Sequence, residues 1–193
     1  MGMPAVVERR WTAAEVRALV AEHGERYECV DGELLVSPPP RLHHRLHHQS
    51  AQSEIHGALF NYLTATTIGV VLAAPVDMKQ GVHTSLQPDL LVLPSIDGRP
   101  PRTEEELQHA LLFVEILSPS TAHVDRVVKR IQYQSDGVEY WIVDLDARLV
   151  ERWLPESDRP EVCTDSLEWH PAGAAEPLRL DLVSIFTRVL GAP

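Results

Sequence analysis

Two carboxylates in this sequence stand where carboxylates are expensive. Asp89 follows Pro88 and opens the apolar run Leu90-Leu91-Val92-Leu93, and Glu115 lies inside Leu111-Leu112-Phe113-Val114-Glu115-Ile116-Leu117, the most hydrophobic stretch of the chain. An unpaired buried carboxylate costs several kcal/mol, so Glu115 needs a cation, a proton or a hydrogen-bond donor. If the two runs are neighbouring strands, both carboxylates project from one face within about 5 Å of each other. Two hard oxygen ligands at that separation suit Mg²⁺, with waters and a phosphate filling its other positions. The alternative is that Asp89 caps a turn and Glu115 pairs with Arg126 or Arg130.

Asp125, Lys129 and Tyr133 follow at i, i+4 and i+8 on a helical segment whose apolar positions are Val124, Val127, Val128 and Ile131. That spacing puts Asp125 and Lys129 at the borders of the apolar stripe, with Tyr133 further round. They form either an ordinary i, i+4 ion pair or a reach by Lys129 toward Glu115. Lys129 is one of two lysines, with Lys79, among 17 basic residues. A lysine in so arginine-rich a chain favours a role that needs a compact point charge.

Five histidines, His43, His44, His47, His48 and His56, crowd the start of a long helical segment. His44 and His48 share a face at i, i+4. No Glu lies between them in a His-Glu-x-x-His arrangement and no third ligand is evident, so zinc is not indicated.

Composition bounds the function classes. The 193 residues carry 17 Lys plus Arg against 28 Asp plus Glu, a formal charge of −11, with 44% hydrophobic residues. This is an ordinary globular composition and excludes a nonspecific basic clamp on nucleic acid, which draws on clustered cations. Cys29 and Cys163 have neither disulfide-framework nor zinc spacing. There is no dinucleotide-binding glycine motif, phosphate-binding loop or nucleophile elbow. Without a leader-like or membrane-length apolar run, a soluble cytoplasmic protein is expected.

The elements expected to position these residues follow from periodicity. Thr12 to Glu22 reads as a helix capped by Thr12 and Glu15 and ended by Gly24. Tyr27 to Val36 reads as a hairpin around Asp31-Gly32, and Pro38-Pro39-Pro40 breaks the chain. Arg41 to Thr66 reads as a long helix with Leu46, Ile55, Leu59, Tyr62 and Leu63 inward. Strands are expected over 69–74, 76–80, 89–93, 111–117, 139–144, 149–154 and about 162–169, a helix over 124–134, and a strand with a closing helix over 178–190. The 111–117 strand should be central and covered on both faces. The order predicts one α/β domain over 1–193, a mixed central β-sheet flanked by helices. Trp141, Trp153 and Trp169 fall in strands, as core or, for the last two, a subunit contact.

Gln87-Pro88-Asp89, Val114-Glu115-Ile116-Leu117-Ser118-Pro119-Ser120-Thr121, Asp125, Lys129, Tyr133 and Gly137-Val138-Glu139-Tyr140-Trp141-Ile142-Val143-Asp144 occur in that order. Together with Tyr27 to Leu34, Ser37-Pro38-Pro39 and Leu178 to Phe186, they make the chain resemble, over roughly residues 11–187, the bacterial "putative restriction endonuclease" family of the PD-(D/E)XK nuclease superfamily. The resemblance implies a restriction-endonuclease-like core and Mg²⁺- or Mn²⁺-dependent hydrolysis of DNA by a homodimer, in restriction or on a mobile element. Asp89 and Glu115 match the metal-binding acids. The superfamily's lysine, two residues after the second acid, would fall at Leu117. This family carries it on the following helix, here Lys129. Asp125 would orient Lys129, and Tyr133 would contact phosphate or support the helix. One of His43 and His44 matches a histidine near the site, and His44 is taken here as the supporting residue. Glu28 and Glu33 are candidates for a third acid, with solvated hairpin charge the favoured reading. Two functions stand: a metal-dependent endonuclease, or a weak or inactive nuclease-fold protein that binds DNA or protein.

Overall fold

The structure is a computed structural model and describes residues 9–23, 26–37, 42–79, 81–107 and 109–192. The expected Gly24 stop, the Pro38-Pro39-Pro40 break, the Arg41 helix start and Gln80 lie outside the described residues. Two compact units are present, Met1–Pro39 with Asp77–Gln87, and Pro40–Val76 with Pro88–Pro193.

In the first unit, helix α1 (Ala13–His23) begins at a reciprocal cap. The Thr12 amide donates to Glu15 Oε2 at 2.8 Å and the Glu15 amide to Thr12 Oγ1 at 3.2 Å. That pattern satisfies amide groups that a helix start leaves without partners. Strands β1 (Arg26–Val30) and β2 (Glu33–Ser37) form the expected hairpin. Its turn needs glycine: Gly32 has φ +87°, and a Cβ there would meet Arg10 Cβ at 2.9 Å. Short strands β4 (Met78–Lys79) and β5 (Ser85–Leu86) complete a sheet of order β2-β1-β5-β4. The expectation of solvated hairpin charge fails for Glu28, which is 1% exposed. Its carboxylate accepts the Gln87 amide at 2.7 Å and faces Arg26 Nε at 3.5 Å. Those partners offset the cost of burial.

The second unit holds the main sheet. Helix α2 (Leu42–Thr66) runs into β3 (Gly69–Ala73), followed by β6 (Leu90–Pro94), β7 (Leu112–Ile116), β8 (Glu139–Asp144), β9 (Leu149–Trp153) and β10 (Glu161–Cys163). The sheet order is β10-β9-β8-β7-β6-β3. Only the β7–β8 pair is parallel among the described residues. It is joined by the helical segment that carries Asp125, Lys129 and Tyr133, because parallel neighbours need a crossover.

Strand β7 is central and buried along its whole length, as its continuous apolar run predicts. Leu112, Val114 and Ile116 enter the core with Ala51, Ile55, Leu59 and Leu63 of α2 and with Trp141, Trp169 and Phe186. Alternation therefore sends Phe113 and Glu115 to the opposite face. Gly69 is required where β3 meets β6, since a Cβ there would lie 2.6 Å from the Leu93 carbonyl oxygen.

Two expectations need correction here. Leu46 is 54% exposed, because the buried row of α2 starts at Ala51 and steps by four residues. The strand expected over about 162–169 is two strands in two sheets. β10 pairs with β9, whereas β11 (Ser166–Trp169) pairs with β12 (Leu178–Asp181). Asp181 then caps helix α4 (Leu182–Leu190), taking the Ser184 amide at 2.9 Å. No helix of the described residues is long and apolar enough to cross a membrane.

Candidate active site

Strands β6 and β7 pair antiparallel through Leu90↔Val114, Leu91↔Phe113 and Val92↔Leu112. The same register carried one residue further sets Asp89 opposite Glu115, on one face of the sheet. Asp89 is 3% and Glu115 2% exposed. Asp89 Oδ2 accepts the backbone amide of Ile116 at 2.9 Å, so its carboxylate fastens the end of the ladder. The Asp89 carbonyl in turn accepts the Ala74 amide at 3.1 Å and Gln52 Nε2 at 2.8 Å. The residue is thus held at backbone and side chain alike.

The cation on Glu115 is Lys129, whose Nζ donates to Oε1 at 2.8 Å and lies 3.3 Å from Asp125 Oδ1. The Tyr133 hydroxyl reaches the same Oε1 at 3.4 Å. The alternative partners point elsewhere. Arg126 binds Asp144 at 2.6 Å and Glu151 at 2.7 Å, and Arg130 binds Gln134 at 2.7 Å while lying over the Trp153 ring. An ammonium between two buried carboxylates holds its position through Coulomb attraction that bulk water does not screen.

The crossover segment reverses the expected amphipathicity. Asp125 and Lys129 are each 2% exposed and Tyr133 is 0%, whereas Val127 is 39% and Ile131 56% exposed. Val127 and Ile131 face outward, Val124 and Val128 are half-buried, and the polar i, i+4, i+8 row faces the sheet. Local geometry helps: Val124–Lys129 is a π-helical turn, followed by helix α3 (Arg130–Ser135). The Arg130 amide reaches back to the Asp125 carbonyl, which also accepts the Tyr140 hydroxyl at 3.2 Å. π-turns are rare and concentrate at functional sites. Tyr133 then packs tilted against Phe113 at 4.3 Å and meets Tyr140 edge-on at 4.9 Å, an aromatic floor under the ion cluster. Burial first, then the charges of Glu115 and Asp125, push the Tyr140 hydroxyl well above the ordinary tyrosine range, so it stays a neutral donor.

The histidine against Asp89 is His48, not His44. His48 Nε2 lies 3.0 Å from Asp89 Oδ2. Gln52, one turn on, binds the same residue's carbonyl. His44 lies one turn before His48 and lines a cavity with it, together with Leu117, Pro119 and Leu145. Position 117, where the superfamily's lysine would fall, is therefore a wall of this cavity, and the ammonium comes to Glu115 from Lys129. Among the described residues no group of three or more His, Cys, Asp or Glu is arranged to hold a metal. The donor chemistry of Asp89 and Glu115 nonetheless fits Mg²⁺ or Mn²⁺, which bind through one or two carboxylates and take their other ligands from water and substrate phosphate.

Sequence signals anticipated most of this arrangement. They place His48 only on one helix face with His44, without its contact to Asp89, and they miss Gln52 and the burial of Glu28. Asp144, at the end of β8, accepts the Ala147 amide at 2.9 Å. Trp141, Trp153 and Trp169 are buried in strands.

Comparison with known proteins bears on the family and the fold. The profile of a family described as "Putative restriction endonuclease" (Uma2) matches residues 13–180. A crystal structure of a "putative nuclease belonging to DUF820" from Anabaena variabilis superposes with a TM-score of 0.68 at 21% identity, covering 86% of this chain and 93% of that one. That likeness shows a common fold. No curated protein is detectably similar in sequence.

Proposed function

The chain belongs to the "putative restriction endonuclease" family, and from that premise we propose that it is a metal-dependent endonuclease acting on phosphodiester bonds of DNA. The observation that carries this reading is the cluster of Asp89, Glu115 and Lys129, with Lys129 Nζ 2.8 Å from Glu115 Oε1. Asp89 and Glu115 would hold Mg²⁺ or Mn²⁺. Such an ion, when bound, polarises a phosphate and lowers the pKa of a bound water.

The chain's own residues supply the rest. Lys129 places a fixed positive charge beside the carboxylates, where negative charge develops on the phosphate oxygens. Asp125 holds the same ammonium with its Oδ1 at 3.3 Å. Tyr133 holds Glu115 Oε1 and, by packing on Phe113, fixes the helix over the sheet. His48 orients the Asp89 carboxylate, as groups bonded to metal ligands commonly do. In this assignment His48 takes the supporting place expected of His44. Duplex cleavage by paired sites would require a homodimer, and a cytoplasmic location belongs to the same reading.

Leu117 favours the second reading, a nuclease fold retained for binding. Supercoiled plasmid with Mg²⁺ or Mn²⁺ separates the two. The expected result is metal-dependent nicking by the wild type that Asp89→Ala and Glu115→Ala both abolish. Equal nicking in all three proteins would refute the site, and no nicking in any would favour the binding module.

A further inference from the structure

The cavity beside the acid pair has a volume of about 180 Å³. It shares two residues with the site: His48, which bonds Asp89, and Leu117, two positions after Glu115. Its size is below the roughly 300–1,000 Å³ of pockets that enclose drug-sized ligands, so it suits one planar ring system. His44 and His48 form one wall, Leu117, Pro119 and Leu145 contribute apolar surface, and Asp146 adds a carboxylate to the lining. Arg126 also lines it, but its guanidinium is bonded to Asp144 at 2.6 Å and Glu151 at 2.7 Å. A cation so neutralised makes a poor phosphate site. Imidazole and aliphatic walls instead suit the face of a nucleobase.

We infer that this cavity receives the base of an unpaired nucleotide next to the scissile phosphate, so that the substrate is single-stranded or locally unpaired DNA. This rests on the nuclease reading for its catalytic consequence. A paired, stacked base is not available to such a cavity without extrusion from the helix.

The test uses the full chain in EDTA and fluorescence anisotropy with four labelled probes: a single strand, a blunt duplex, that duplex with one bulged nucleotide, and a single strand with an abasic site. The single strand should bind at least about tenfold more tightly than the blunt duplex, because a paired base must first be extruded. The bulge should restore binding and the abasic site should weaken it. Ala122→Leu and Ala147→Leu, each filling the cavity from its lining, should weaken single-strand binding about fivefold or more, the worth of roughly one stacked base. Thermal melting identifies any variant that has not folded, and the abasic probe needs no variant. Equal affinity for single strand and blunt duplex, no binding of any probe, or wild-type affinity in both filled variants would overturn the inference. Adding Mn²⁺ separates it from the nuclease reading. The same binding pattern without cleavage of any probe overturns the nuclease alone, and equal cleavage of single strand and blunt duplex overturns the unpaired-base inference alone.

Discussion

Lys129 and Glu115 form an ion pair at 2.8 Å in which both side chains are nearly sealed from solvent, at 3% and 2% exposure. Removing one partner of a buried pair leaves the other charge uncompensated, a loss of about 3–5 kcal/mol. Lys129→Met should therefore lower the urea midpoint strongly. Adding Glu115→Gln to Lys129→Met should recover part of that loss, because only the Asp125 carboxylate is then left without the ammonium. Additive losses in the double variant would show that the two residues do not act as a pair.

The crossover helix makes a second prediction through its reversed face. Ile131→Glu, at a position 56% exposed, should change stability by less than about 0.5 kcal/mol. Tyr133→Ala, two residues away and fully buried against Phe113 and Tyr140, should cost about 3–5 kcal/mol. Chemical denaturation of the two variants checks this. A larger loss from Ile131→Glu would mean that the apolar stripe, and not the polar one, faces the sheet.

That helix also shows how far sequence reading reaches. Burial of Glu115 and its nearness to Asp89 were legible, because a carboxylate inside a continuous apolar strand admits few environments. The neighbouring strands then had only one register that made the pair meet. The helix face was misread because amphipathicity assumes that apolar residues turn inward. Here an ion cluster under a π-helical turn turns Asp125, Lys129 and Tyr133 inward and leaves Val127 and Ile131 outside. His48 was passed over for His44 for a related reason: both lie on one face, and sequence spacing cannot tell which turn of α2 meets Asp89. Glu28 looked solvated because the short β5 that helps to cover its hairpin has no strand-length apolar signal.

His48 predicts a kinetic effect separable from folding. Its bond to Asp89 Oδ2 at 3.0 Å orients a proposed metal ligand. Loss of such a partner typically costs about 10–100-fold in metal affinity or activity. His48→Ala should raise the Mg²⁺ concentration needed for half-maximal nicking by about that factor, and His48→Gln should restore part of it. An unchanged metal dependence in His48→Ala would remove His48 from the site.

Acid stability has a specific contributor away from the site. Hydrogen bonds from Arg99 and the Arg102 amide hold the Glu106 carboxyl at about 2, below its ordinary 4.5. Its folded value lies under the unfolded one, so the stability it lends is complete above about pH 4.5 and drains away as pH falls toward about 2. Glu106→Gln should flatten the fall of the urea midpoint across that window. A slope identical to that of the wild type would contradict the assignment.

The claim that Asp89 and Glu115 together hold the catalytic ion is tested most directly by titrating Mn²⁺ into the protein and reading the unbound ion by electron paramagnetic resonance. Wild-type protein should bind one Mn²⁺ per chain, and Asp89→Asn or Glu115→Gln should each weaken that binding about tenfold or more. Superimposable titrations for all three folded proteins would contradict the account.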